Sequence, residues 1–588
     1  MDEEVTKVNL TDKKIIKRLI SYAKNHKKAF AIAVLLMVFA VGIDLVLPLL
    51  LGLVSKILGR DNIDFQQIIG IVVIYGCLLV VMFIIQFYQA MTLQKAGQKI
   101  IYEVREQVFT HIEKYSIAQI NSVPVGKFVT RVTNDTNTLN EMYTSVVINL
   151  LKDSFTIIGV LVAMFFVDTS LSLYVLAVCP LIVIISFVFR KYSREAYREV
   201  RSNIANVNAF LSENISGMKI TQVFNQEAKK LQEFQEKNKQ LKKSSLKQIF
   251  IFGIFRPSIY VLYIATVMLI LWFGSNNVIL QAGLTFEVII IFHQYIDRLF
   301  NPIQQLAEQF NILQSAFAAS EKIFAVLDQQ PEIVDAPDAI ELSDVKGEIE
   351  FKNVWFSYLP DEWVLKDVSF KIKANETVAF VGATGSGKTT ILSLIVRNYD
   401  IQKGQILIDG IDIRKIKIAS LRSQIGQMLQ DVFLFSGTIN SNIKMREDSI
   451  TDDDVKQACE YVNADKFINS LPNAYQEEVR ERGNNFSAGQ RQLLSFARTM
   501  AHQPKVMILD EATANIDTET EVLIQDSLAK MMNVGTMLVV AHRLSTIQHA
   551  DKIIVLQKGE IVEEGNHQEL LKKRGQYYKL YQLQYQHQ

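Results

Sequence analysis

Four apolar runs, Ala29 to Val54, Ile68 to Ala90, Leu171 to Phe189 and Ile249 to Phe273, restrict what this chain can become more than any other feature. Each approaches or exceeds the roughly 20 residues that a helix needs to cross a hydrocarbon core. Val146 to Val167 is a fifth run, with Lys152 and Asp153 inside it. Val278 to Leu299 is a sixth and the weakest, because Glu287, His293, Asp297 and Arg298 interrupt it. The reading is six membrane-spanning helices, and the charges around them set their direction. Lys13, Lys14, Lys17, Arg18, Lys24, Lys27 and Lys28 precede the first span, and the segments after spans two and four are also rich in Lys and Arg. The loops after spans one, three and five are short and poor in both, which places the two termini and the two long loops in the cytoplasm.

The two inner loops, Met91 to Ser145 and Arg190 to Phe250, are polar and almost free of Pro and Gly, and apolar residues recur at helical spacing in Ile101, Val104, Val108 and Ile112. At about 1.5 Å per residue, such segments carry membrane helices roughly 38 Å into the cytoplasm and back. Their tips are expected near 123–127, where Pro124 and Gly126 punctuate the pattern, and near 212–217. Asp12 to Lys28 reads either as an amphipathic helix at the membrane surface or as a solvated surface helix. Beyond Gln314 the chain enters a linker helix and then "QQPEIVDAPD", a domain boundary. The expected organisation is therefore an interfacial helix over 1–28, a transmembrane domain over 29–315, a linker over 316–346 and a soluble α/β domain over 347–588. A net charge of +1 gives no basic field for nucleic acid. Cys77, Cys179 and Cys459 have no paired or metal-like spacing.

The soluble domain carries the chemistry. "VAFVGATGSGKTT", Val378 to Thr390, is an apolar strand, a Gly-rich turn and a helix start, the context in which G-x-x-x-x-G-K-[ST] binds a nucleotide. Gly382, Ala383, Thr384, Gly385, Ser386 and Gly387 form the turn whose backbone N–H groups surround phosphates, continued by Thr389 and Thr390 in the helix. Lys388 supplies a point charge to the outer phosphates, and the Thr389 hydroxyl is placed for Mg²⁺. "KVMILDEAT" is a buried parallel strand that delivers Asp510 to its carboxyl end as a Mg²⁺ group, with Glu511 beside it as general base for the attacking water.

From Gly347 to His567 these motifs resemble the nucleotide-binding domain of ATP-binding cassette (ABC) transporters, and six spans followed by one cassette resemble an exporter half-transporter. The resemblance implies a P-loop domain with a RecA-like core and a helical subdomain, ATP and Mg²⁺ as ligands, and ATP-driven export. It assigns Tyr358 in "VWFSYLPD" to adenine, Gln430 in "GQMLQDVFLF" to Mg²⁺ and the water, and His542 in "VVAHRLST" to the γ-phosphate. "EEVRERG", Glu477 to Gly483, takes the place of the stretch that meets the coupling loops, and "ANID", Ala514 to Asp517, that of a dimer-contacting loop. "SVPVGKFVTRVTND" looks like a coupling tip.

The family signature, Leu-Ser-Gly-Gly-Gln, reads Phe486, Ser487, Ala488, Gly489, Gln490 here. In the family it heads a helix that caps the γ-phosphate held by the opposing subunit. Ala488 adds a methyl at a position of close approach and disfavours positive φ, so a loosened cap is expected. Intact Lys388, Asp510, Glu511 and His542 beside an altered cap resemble one half of an unequal heterodimer, in which the site built from this chain's cradle hydrolyses ATP and the site capped by "FSAGQ" turns over poorly. A homodimer that tolerates Ala is the alternative. Asp44, Arg256, Glu287, His293 and Asp297, with Phe255, Tyr260, Tyr263 and Phe292, suggest a mixed pocket for small amphipathic or cationic cargo, although structural pairing accounts for the same charges. Multidrug export is the leading reading; a lipid or lipid-linked flippase uses the same architecture.

Overall fold

Long apolar runs become long helices because the backbone in lipid satisfies its hydrogen bonds only within the segment. In the computed structural model, which describes residues 13–61, 63–279, 285–445, 447–510, 518–540 and 547–585, they do so in chain order. The helices are α1 (Lys13–Asn25), α2 (Lys27–Leu58), α3 (Phe65–Glu113), α4 (Ile117–Ser122), α5 (Val125–Thr130), α6 (Thr136–Glu141), α7 (Val147–Val167), α8 (Thr169–Ser216), α9 (Met218–Val223), α10 (Glu227–Ile279) and α11 (Phe286–Asp328). From α5 to α7 the helix is continuous through π-turns at Arg131–Asp135 and Met142–Val146. Pro48, Pro180, Pro257 and Pro302 all lie inside helices. By contacts the chain forms two units, Met1–Glu113 with Gly126–Gln329, and Lys114–Val125 with Gln330–Gln588.

Among the described residues five helical segments are both long and apolar enough to span a membrane: Lys27–Leu58, Phe65–Glu113, Val125–Val167, Thr169–Ser216 and Glu227–Asn276. Helix α11, expected as the sixth span, has the length but not the apolarity, since Glu287, Asp297 and Arg298 lie in its first half. Its charges are largely internal matters. Arg298 Nε donates to Asp44 Oδ1 at 3.1 Å, Arg298 Nη1 donates to Gln294 Oε1 at 3.1 Å, and the Tyr295 hydroxyl donates to the Leu45 carbonyl at 2.8 Å, joining α11 to α2. Lys56 Nζ donates to Glu287 Oε1 at 3.0 Å. Asp44 and Glu287, read from sequence as candidate cargo contacts, are thus committed to pairing, because an unpaired charge inside the bundle costs more than a paired one. Phe255 and Phe292 are likewise buried in the bundle core and are not wall residues of a pocket. Arg256, Tyr260, His293 and Asp297 stay exposed.

The burial of α3 begins at Leu93, so its apolar run is left to lipid or to a second subunit. Helix α1 packs Leu19 against the bundle, where the Tyr143 hydroxyl donates to the Leu19 carbonyl at 2.7 Å, while Ile20 is exposed. The first reversal beyond the apolar runs contains α4 and the second falls at Gly217–Gln226 around α9. The second is displaced beyond the expected 212–217 because α8 stays helical to Ser216 and ends at Gly217.

In the other unit, strands β1 (Ile349–Ser357), β2 (Trp363–Ile372), β3 (Thr377–Val381), β4 (Lys403–Ile408), β5 (Ile411–Asp412), β6 (Ile425–Met428), β7 (Gly437–Thr438), β8 (Glu478–Val479), β9 (Val506–Asp510), β10 (Thr536–Val540), β11 (Lys552–Gln557) and β12 (Glu560–Gly565) make three sheets. The central one has the order β12-β11-β3-β10-β9-β6 and is parallel except at β12. An antiparallel sheet, β2-β1-β4-β5, and a two-stranded β7-β8 complete the unit. Besides α4, the helices of this unit are α12 (Lys388–Ile395), α13 (Ile418–Ser423), α14 (Ile439–Lys444), α15 (Asp452–Tyr461), α16 (Asp465–Asn469), α17 (Ala488–Ala501) and α18 (Thr518–Met531), followed by His567–Lys573 and Gln576–Tyr585.

The central strands read as unbroken apolar runs because both faces are covered. Val378 and Phe380 of β3 join a core with α12 and the antiparallel sheet, whereas Ala379 and Val381 join a core with α15, α17 and α18. The same alternation holds in β9, where Val506 and Ile508 face one core and Met507 and Leu509 the other. Strands buried on both sides fix their own register, and their carboxyl ends converge on one rim.

Candidate nucleotide site

At that rim the chain leaves β3 through residues 382–387 and enters α12. Gly387 precedes α12 at φ +104°, a left-handed conformation that favours glycine. Gly382 is required by contact instead: a Cβ there would stand 2.3 Å from the Leu556 carbonyl oxygen. The turn therefore packs directly on β11 and leaves its inner side to whatever it holds. Two observations fit a phosphate. Ser386 Oγ is buried with no hydrogen-bond partner. Lys388 Nζ, with only 6% of the residue exposed, donates to the Gly382 and Ala383 carbonyls at 2.8 and 3.1 Å, so a cation is folded back over the turn.

Successive residues on a helix point about 100° apart, and the first turn of α12 uses this to gather three elements. Lys388 covers the turn. Thr389 Oγ1 donates to Asp510 Oδ1 at 3.4 Å, joining a hydroxyl and a carboxylate suited to Mg²⁺. Thr390 Oγ1 lies 3.0 Å from the Tyr358 hydroxyl. When bound there, Mg²⁺ supplies charge neutralisation for the phosphates, and Thr389 and Asp510 are the residues that would hold it. Asp510 reaches this place because β9 lies between β10 and β6 with its last residue opposite Val540.

Tyr358 is 48% exposed, with Phe356 and Tyr399 packed edge-on against it at 4.8 and 5.1 Å between ring centres. Burial of its hydroxyl raises its pKa above the ordinary tyrosine value, so it remains neutral at physiological pH. A base stacked on an aromatic face contributes about 1–3 kcal/mol. Tyr358→Ala is accordingly expected to raise the KM for ATP roughly tenfold with little change in kcat, while Tyr358→Phe stays close to the parent; equal KM values for all three would remove the adenine assignment.

Gln430 follows β6, which runs in register with β9 so that Met428 lies beside Leu509; Gln430 is exposed just past the same rim. The segment beyond it is clamped by residues that the sequence reading did not single out. Asn442, 2% exposed, accepts from the Phe435 N–H at 2.8 Å and donates back to the Phe435 carbonyl at 2.7 Å. Arg498 of α17 donates to the Asn442 carbonyl at 2.9 Å and to the Phe433 carbonyl at 3.3 Å. Strand β8, within "EEVRERG", pairs with β7 on the same segment. No local pattern signals Arg498, because it acts across more than fifty residues of chain, whereas Asn442 closes a turn seven residues long.

Helix α17 begins at Ala488 with Ser487 as its N-cap. Ser487 Oγ accepts from the Gln490 N–H at 3.2 Å, and the Ser487 N–H donates to Gln490 Oε1 at 2.9 Å. Among the described residues, no hydrogen bond joins Ser487 to the turn at 382–387 of the same chain. Ala488 occupies the first helical position and is not among the residues with positive φ, so the anticipated backbone strain is absent. A first-turn residue has ordinary right-handed dihedrals, and Ala is the best helix former. What remains of the departure at Ala488 is one partly exposed methyl group, and Phe486, in place of the signature leucine, is buried. Gly489 is buried. Glu511, the "ANID" stretch from Ala514 to Asp517, and His542 lie outside the described residues.

The protein-family comparison matches residues 30–303 to the ABC transporter transmembrane region and residues 365–514 to the ABC transporter family. The probable multidrug resistance ABC transporter ATP-binding/permease protein YheH of Bacillus subtilis (strain 168) is 39% identical over 529 residues, 89% of this chain and 77% of the relative. The ATP-dependent lipid A-core flippase of Syntrophus aciditrophicus (strain SB) is 36% identical over 578 residues, 97% of this chain and 94% of the relative. A solved bacterial Atm1-family ABC exporter with ATP bound shares the fold with a TM-score of 0.78 at 24% identity, covering 95% of this chain and 98% of that one.

Proposed function

This chain belongs to the ABC transporters, as an exporter half with one membrane region and one ATPase cassette, and from that premise we propose that it is the hydrolytic half of an unequal pair that exports small amphipathic compounds. It is a multi-pass membrane protein whose ATPase is coupled to transport, and a half-transporter works only with a second half. In the proposed dimer, Lys388, Ser386 and the N–H groups of the turn hold the phosphates of ATP, Thr389, Gln430 and Asp510 serve the Mg²⁺ position, and Tyr358 stacks on adenine. Glu511 takes the proton of the attacking water, and His542 contacts the γ-phosphate. Each cradle is capped by the other chain's signature helix. Both termini and the cassette lie in the cytoplasm.

The observation that carries the dimer is the signature helix. Its N-terminus ends in an exposed Ser487 that its own chain leaves without a phosphate-bearing partner. A helix N-terminus is a ready anion site, so an opposing cradle is its natural occupant. The reversal around α9 supports the same reading: Ile215, Met218, Ile220, Val223 and Phe224 are all exposed, an apolar tip at the cytoplasmic end of a hairpin that needs a second surface.

Inequality is read from the Ala488 methyl beside intact hydrolytic residues, with the altered "ANID" loop leaning the same way, and a larger side chain at 488 tests it. Overpacking by a branched side chain costs about 1–3 kcal/mol. If "FSAGQ" caps the weak site, Ala488→Val leaves ATP turnover within roughly threefold of the parent, because the strong site is capped by the partner. A fall of more than about tenfold means that both working sites carry this cap, and the protein is then a homodimer.

Arg256 and Tyr260 of α10 and His293 and Asp297 of α11 are the exposed polar groups offered to cargo. Aromatic surface beside a lone carboxylate suits amphipathic cations. The flippase relative favours a second reading, lipid movement. Drug-stimulated ATPase measured beside lipid scrambling in the same liposomes separates the two: stimulation without scrambling supports the first, the converse the second.

A further inference from the structure

The short reversal between α3 and α5 has an unusual allegiance. Residues Lys114–Val125 interrupt the chain of the membrane unit, yet by contacts they belong with the cassette. The attachment is a side chain. Gln119, 3% exposed, sits at the third position of α4 in a capping box with Ser116. Its Oε1 accepts from the Ser116 N–H at 3.0 Å and also from the Glu332 N–H at 3.2 Å, and its Nε2 donates to the Gln330 carbonyl at 2.9 Å. Two donors on one side and a carbonyl on the other fix which end of the amide is which. Ser116 Oγ adds a bond to Glu332 Oε2 at 3.2 Å.

Residues 330–332 are the first of the lead-in to the cassette, and that lead-in is pinned to the cassette body immediately afterwards. The Val334 carbonyl accepts from Arg397 Nη2 at 3.4 Å. Asp335 Oδ1 accepts from the Ile418 N–H, the first of α13, at 2.8 Å. Arg397 is 4% exposed and lies two residues past α12, the helix that begins with Lys388. From α13, Arg422 donates to the Val396 and Arg397 carbonyls at 3.3 and 3.1 Å. A continuous line of hydrogen bonds and short chain segments therefore runs from α4, through Gln119 and residues 330–335, to the end of the phosphate-binding helix.

We infer that Gln119 is a coupling residue, a positioning group that makes the first cytoplasmic reversal move as one body with the nucleotide cradle of its own chain. The inference rests on the reading of the chain as an ATP-driven exporter, and it adds to that reading a route within a single polypeptide. The bending positions are then Glu113 to Lys114 and Val125 to Gly126, where the chain passes from one unit to the other.

Gln119→Glu isolates the bond that matters. Glu serves the third position of a capping box as well as Gln does, so α4 keeps its start and the Oε1 acceptor remains. The donor to Gln330 is lost, and a carboxylate faces a carbonyl instead. The assembled full-length transporter, in a Cys77→Ser background because Cys77 is exposed, is reconstituted with nitroxides at Arg60→Cys and Ser170→Cys. These report the separation of the outer ends of α2 and α8 with and without ATP and vanadate, and need no knowledge of the cargo. The expected result is nucleotide trapping within about twofold of the parent and a nucleotide-driven distance shift reduced about fivefold or more, the scale of a lost coupling energy. A shift of parental size overturns the inference, as does a parallel loss of trapping and shift, which would make Gln119 part of the cassette's folding. Absence of trapping in the parent itself would count against the transporter reading and not against Gln119.

Discussion

Lys388→Met in the assembled transporter is expected to lower ATP turnover at this chain's cradle by at least about a hundredfold, the scale of removing one preorganised charge from a site of developing negative charge. In the structure the ammonium group rests on the Gly382 and Ala383 carbonyls, nearly sealed from water, beside a Ser386 hydroxyl with nothing to bond. Those two carbonyl contacts are what a point charge accepts until an outer phosphate replaces them. Methionine keeps the length of the stem and removes the charge, so the fold of α12 is retained. Lys388→Arg is expected to fail nearly as badly, because a planar fork does not substitute for a compact ammonium in a turn this tight. Measuring phosphate release together with ATP binding checks both: turnover within tenfold of the parent for Lys388→Met would remove Lys388 from the mechanism, and the same result for Lys388→Arg would remove the need for a compact ammonium.

The second large effect concerns Glu511. Glu511→Gln in this chain is expected to cut ATP turnover about 10²- to 10⁴-fold, the contribution of a positioned general base, and to leave ATP bound. Asp510 accepts a hydrogen bond from Thr389 and is the group that would hold Mg²⁺, which leaves Glu511 as the proposed base for the proton of the attacking water. In an unequal pair, the matching substitution in the partner changes turnover less than about threefold, since its cradle contributes little. Co-purified pairs carrying one substitution at a time make the comparison direct. Equal losses from the two chains would end the unequal reading and leave a symmetric exporter.

The cassette was readable in advance for a specific reason. Strands covered on both faces have apolar interiors, so β3 and β9 announce themselves in "TVAFV" and "VMILD". A turn that must expose N–H groups and pack on β11 cannot dispense with Gly382 and Gly387. Such constraints act within a few residues of chain and leave a local pattern. Ala488 shows the limit of that reasoning. A departure from a familiar string suggested a strained backbone, whereas the structure places the residue on the first turn of α17 with ordinary geometry. Asp44 and Arg298 show it again: each is a charge within an apolar run, and only folding brings them to 3.1 Å across 254 residues.

Local sequence was enough for the division into membrane helices and a phosphate-binding α/β domain, because hydrophobic run length and the glycine turn are each dictated by the surroundings of a short segment. Tertiary structure alone decided which charges pair, that Arg498 clamps the segment after Gln430, and that Gln119 bonds the reversal at α4 to residues 330–332. Those outcomes depend on which distant groups meet once the chain is packed, and a buried hydrogen bond leaves no periodic trace in the residues that make it.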